Sequence, residues 1–124
     1  MWEALFWLYL VNASVLATHE VESGYWKEWE LFGLPGGLTG FLWLHLPLFF
    51  AAFWGMAAIA RGQTAGAVIA LVLALGCLAG AGLHTWFIRS GHPEFTTAVS
   101  RLLLAAMAAG SLAQAAVSLY LLTA

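Results

Sequence analysis

The chain has 124 residues, 63% of them hydrophobic and only 8% charged, with a formal net charge of −2. A soluble domain carries about a quarter charged residues and just under half apolar ones, so an ordinary water-soluble globule and a disordered chain are both excluded. Four Lys and Arg against six Asp and Glu build no phosphate-binding face, which excludes a nucleic-acid partner, and the single cysteine, Cys77, excludes an internal disulfide.

A helix needs about 20 apolar residues to cross the hydrocarbon core, and four runs approach that length: 2–18, 38–60, 64–88 and 96–122. The first is short and extendable into the polar stretch behind it. Glu3 near its start, no Lys or Arg ahead of the apolar run, and the interruptions at Trp7, Tyr9 and Asn12 read as a retained span rather than a signal peptide. After it come His19-Glu20-Val21-Glu22, then Tyr25-Trp26-Lys27-Glu28-Trp29-Glu30 and Leu34-Pro35-Gly36-Gly37. Rings beside charges predict an interfacial segment that lies along the headgroup region as a lid, with Glu28 and Glu30 facing water around Lys27.

The second span carries His45 about two turns in, followed by Pro47, and closes on the tight turn Arg61-Gly62-Gln63. The third carries the small pair Gly76 and Gly80, a motif for close helix approach, then Cys77 and, near its end, His84. The connection Arg89-Ser90-Gly91-His92-Pro93-Glu94 leads to the fourth span. There Arg101 is expected to pair with Glu94 or Glu22, and Ser100, Met107, Ser111, Gln114 and Ser118 form an interhelical seam.

Four spans with short links predict an all-α fold: an integral membrane, antiparallel four-helix bundle and a single transmembrane domain, both termini on one face. The first and third connections then share the other face, which gathers nearly all the charge and the histidines. Lys27, Arg89 and Arg101 against Arg61 put that polar face in the cytoplasm by the positive-inside rule.

Ionisable groups in or beside a span need a partner or a purpose. His19, His45 and His84 stand on three different spans in one leaflet, and Glu22 follows His19 by three residues, on the same side of a continuing helix. The expected site is therefore a divalent-metal centre, zinc or iron, with His19, Glu22, His45, His84 and His92 as ligands and Glu20, Glu22 and Glu94 as acid–base groups. Asn12, two turns deeper than His19, is expected to line the same cavity. The bland reading stands beside this one: His45 bonded to a backbone carbonyl, His84 at the interface, His92 solvated in its loop.

His19-Glu20-Val21-Glu22, the run 25–37, His84-Thr85-Trp86 and Pro93-Glu94-Phe95 resemble an uncharacterised family of short bacterial membrane proteins. There is a looser likeness to the HXXEE membrane family, although Ser23 stands where a second acid would complete the Glu pair. The resemblance implies a bacterial inner-membrane location and a His/Glu site, and supplies no reaction.

Four functions compete. One is a metal-dependent membrane hydrolase or oxygenase acting on a lipidic or small apolar substrate. Another is a metal-free acid–base isomerase or cyclase, similar in architecture to small membrane cyclases, with Trp26, Trp29, Trp43 and Trp86 facing a developing cation. The third is a haem-binding electron-transfer bundle with His45 and His84 as axial ligands. The last is a structural or interaction protein. Membrane lipid is the expected surrounding, and a homo-oligomer is compatible with the sequence.

Overall fold

The computed structural model describes all 124 residues. Each apolar run forms a long helix, because only helices satisfy their own backbone groups in lipid. In chain order these are α1 (Trp2–Tyr25), the single-turn α2 (Glu28–Leu31), α3 (Gly37–Ala60), α4 (Thr64–Arg89) and α5 (Ala98–Thr123), with no strand. The four long helices are long and apolar enough to cross a membrane, and the chain is an integral membrane protein by that criterion. α1 packs on α3 and α5, and α4 packs on the same two helices, while α1 and α4 touch only slightly. The result is a four-cornered bundle with α1 and α4 on one diagonal.

α1 runs past the expected end near residue 18. No proline stands between 19 and 25 and the one glycine, Gly24, falls in the last turn, so the helix continues and His19, Glu20, Glu22 and Ser23 acquire fixed directions. The helix stops at Trp26, and Lys27 turns the chain in the left-handed region (φ 54°, ψ 57°) to start α2. Pro47 lies inside α3. It removes one backbone donor and frees a carbonyl on the preceding turn, a defect that neighbouring helices let membrane spans tolerate.

The tightest packing lies at the end of the bundle away from the histidines. Leu5, Tyr9, Ile59, Ala67 and Ala70 form a fully buried cluster, and the Tyr9 hydroxyl donates to the Ala52 carbonyl at 2.6 Å. Gly66 lets α4 approach the α3 backbone: a Cβ there would come within 2.5 Å of the Ile59 nitrogen. Gly76 and Gly80 behave differently from the expected packing pair. A Cβ at either meets nothing within 4 Å, so within the chain they make no close approach.

Along α5, Ser100, Met107, Ser111, Gln114 and Ser118 are all buried, as the seam reading expects. Asn12 belongs to this seam rather than to the cavity. Its amide donates to Ser111 Oγ at 3.0 Å and to Gln114 Oε1 at 3.1 Å, and Gln114 donates on to the Ala70 carbonyl at 2.8 Å. Seven residues before His19 keeps the face only approximately at 3.6 residues per turn, and the residual angle carries Asn12 toward α5.

Candidate functional site

Successive residues of α1 point about 100° apart. His19 and Ser23, four apart, therefore face inward, while Glu20 and Glu22 diverge to opposite flanks. His19 meets His84 of α4, with their Nε2 atoms 3.2 Å apart and the rings edge-to-face. Both residues are only 2% exposed. From α2, Glu28 brings Oε2 to 3.2 Å from His84 Nε2, without the angle of a hydrogen bond. One donor atom from each of His19, Glu28 and His84 lies within 4.8 Å of the others. Ser23 Oγ donates to the His19 carbonyl and lies 3.5 Å from His19 Nε2.

Glu28 corrects the expectation that it faces water. The left-handed turn at Lys27 resets the helical direction, and the first residue of α2 swings in over the histidine pair. Burial pushes its carboxyl up, yet the polar groups of His84 and Ser23 close by and the charges of His84 and His19 outweigh burial and leave its pKa below the ordinary carboxylate value.

Glu22 moves the other way. It faces the start of α5, where its Oε2 accepts from Ser100 Oγ at 2.8 Å. Thr97 caps the same helix end by accepting from the Ser100 amide. The positive end of α5 holds the Glu22 carboxylate there, so Glu22 does not join His19. Arg101 pairs with neither expected acid: it is exposed, Glu22 is bonded to Ser100, and Glu94 lies 3.8 Å from His92 Nδ1. His92 is exposed in the α4–α5 connection, and neither His92 nor Glu94 lines the cavity described below.

His45 stands on the facing wall with Glu20 rather than in the three-residue group. Its Nδ1 is 2.7 Å from the Phe41 carbonyl and its Nε2 is 2.6 Å from Glu20 Oε2. A carbonyl only accepts, so Nδ1 carries a proton, and one further proton is held between Nε2 and Glu20. The carbonyl bond of the bland reading thus coexists with a carboxylate partner. Of the two nitrogens that axial haem ligation would need, His45 Nε2 is taken up by Glu20.

All five groups, His19, Glu20, Glu28, His45 and His84, line one cavity of about 440 Å³ whose remaining walls are apolar. Phe32 covers its polar end. From the α4–α5 connection, Phe95, buried and in the left-handed region (φ 61°), packs its ring centroid 4.2 Å from that of His84 and 5.3 Å from that of His19. Sequence reasoning passed over Phe95, since neither its backbone conformation nor its direction follows from periodicity. The Trp rings expected to face a cation do not line this cavity; Trp43 and Trp86 are 69% and 60% exposed on the lipid side.

No curated protein and no solved structure matches the chain. A family model does match it, over residues 5–121, and the chain belongs to that family of unknown function (DUF6713).

Proposed function

We propose that the chain is a metal-dependent membrane enzyme, with one divalent ion, zinc or iron, held by His19, His84 and Glu28 and a lipidic substrate received in the adjoining cavity. The observation that carries this reading is the separation of the donor atoms. Metal–ligand bonds of about 2.0–2.1 Å in a tetrahedral site require donor atoms about 3.3 Å apart. The His19–His84 and His84–Glu28 separations are both 3.2 Å, and the remaining His19–Glu28 pair lies within 4.8 Å.

Proton counting supports the same reading. If His19 Nε2–H donates to His84 Nε2, Glu28 Oε2 faces a second lone pair across 3.2 Å, and that oxygen has no donor of its own. The His84 and Glu28 lone pairs repel unless a cation lies between them, and an ion bound there would take the place of the His19 Nε2 proton and gain His19 as its third ligand. Two His and one carboxylate, with a fourth position left to solvent or substrate, is the ligand set of hydrolytic zinc sites and of non-haem iron oxygenases. Such an ion supplies a Lewis acid and an activated water. Beside it, the proton shared by Glu20 and His45 gives the cavity a group that can give or accept one.

Metal analysis of the purified, detergent-solubilised protein tests this. Wild type should carry about one ion per chain, and His19→Ala, His84→Ala and Glu28→Ala should each lose most of it. Glu22→Ala and His92→Ala should retain it, and His45→Ala should retain more than His84→Ala. Equal metal in wild type and the His19/His84/Glu28 triple variant would overturn the reading. The Glu20–His45 pair would then favour the acid–base isomerase alternative.

A further inference from the structure

We propose that the groove descending from the His/Glu end between α3 and α4 binds one unbranched hydrocarbon chain of a single-chain amphiphile, admitted sideways from the bilayer. The inference rests on the function proposed above only for what meets the compact polar head.

The groove is long and narrow. Along α4 its wall runs from His84 through Gly80 and Gly76 to Val72, a stripe at four-residue spacing. Twelve residues at 1.5 Å each make that wall about 18 Å long. A cavity of about 440 Å³ lies in the range of small-molecule sites. Spread along a wall of that length, the volume makes an elongated groove, the shape of an extended chain rather than of a compact ligand.

Polarity and burial give the groove a direction. The ionisable lining groups are confined to one end, and below them Leu48, Phe49, Ala52, Leu73 and Met107 are apolar. His19 and His84, each 2% exposed, line the head of the groove, and the Nδ1 atom of each has no protein partner. The side toward lipid is open, because Leu48, Val72 and Leu83 are among the exposed residues of the rim. The floor is kept clear at Gly76 and Gly80, where an added Cβ would stand in open space. Larger side chains at those two positions would fill the groove while leaving the helix contacts intact.

That last property supplies the test. The purified full-length protein is labelled with a long-chain primary alcohol carrying a photoreactive diazirine in the far half of its chain, and adducts are mapped by peptide mass spectrometry. Wild type should give saturable adducts on the α3 and α4 segments around Phe49 and Leu73, competed by unlabelled long-chain alcohol and not by short-chain alcohol. Gly80→Leu, one turn from His84, should abolish them. Gly76→Leu, one turn deeper, should shift competition toward shorter alcohols. Gly82→Leu enters equally open space on the same helix outside the groove, and should label as wild type. Equal labelling in all three variants, or adducts that no alcohol competes, would overturn the inference by reducing the groove to ordinary lipid contact. Metal content of the same samples separates the two ideas. Metal without saturable adducts defeats the chain site alone, and saturable adducts on metal-free protein defeat the metal reading alone.

Discussion

Two residues other than glycine adopt the left-handed backbone, Lys27 and Phe95, and both deliver side chains to the histidine pair. The conformation costs a residue with a Cβ about 1–2 kcal/mol, so each needs a return from its surroundings. At Lys27 the return is the direction given to Glu28; the lysine itself is exposed. Lys27→Gly should therefore keep the site and raise the thermal midpoint in detergent, by the equivalent of up to about 1 kcal/mol. At Phe95 the return is the buried ring against His19 and His84, and Phe95→Ala should lower the midpoint, by the equivalent of about 3 kcal/mol. An unchanged midpoint for Phe95→Ala would mean that the ring does not cap the site. These two turns also explain what the sequence conceals. His19, His45 and His84 are legible because each interrupts an apolar run. Glu28 is not, because helical phase can be counted only within one helix and is lost at Lys27. Glu22 is misjudged for a related reason: three residues from His19 puts it near the same side, but the angle that remains turns it to the start of α5.

At the scale of helices, the same chemical change should have opposite effects along α4. Gly66→Ala sets a methyl group within 2.5 Å of the Ile59 nitrogen and 2.8 Å of the Ala58 carbonyl carbon. The α3–α4 pair has to separate there, at a cost of about 1–3 kcal/mol. Gly76→Ala and Gly80→Ala meet no atom and gain helix propensity, so each should stabilise by about 0.5–1 kcal/mol. Thermal unfolding of the three variants in one detergent checks the contrast, and destabilisation by all three would show that the groove closes in solution. A pair of glycines four apart reads as a contact motif in sequence. Whether a neighbouring helix fills the space depends on the crossing of α3 and α4, which no local pattern encodes. The α5 seam is legible because its small and polar residues recur on one helical face, and buried hydrogen bonding is the economical use of such a face in lipid.

For the whole molecule, packing and chemistry occupy opposite ends. The fully buried cluster around Leu5, Tyr9 and Ile59 lies beside the Arg61–Gln63 turn, and the Trp2 indole lies close to Gly62 there. The ionisable groups gather where α1, α2, α4 and the α4–α5 connection meet. This division was legible from hydropathy and link length alone, since four spans with short connections must alternate in direction. It fixes a topology that can be tested. In a Cys77→Ala background, single cysteines at Lys27, Gln63 and Ser90, all exposed, should react with a membrane-impermeant maleimide on intact vesicles in two classes. Lys27 and Ser90 should label from one side and Gln63 only from the other. If Gln63 labels together with Lys27, α3 does not cross, the groove between α3 and α4 does not face hydrocarbon, and sideways admission of a lipid chain has no route.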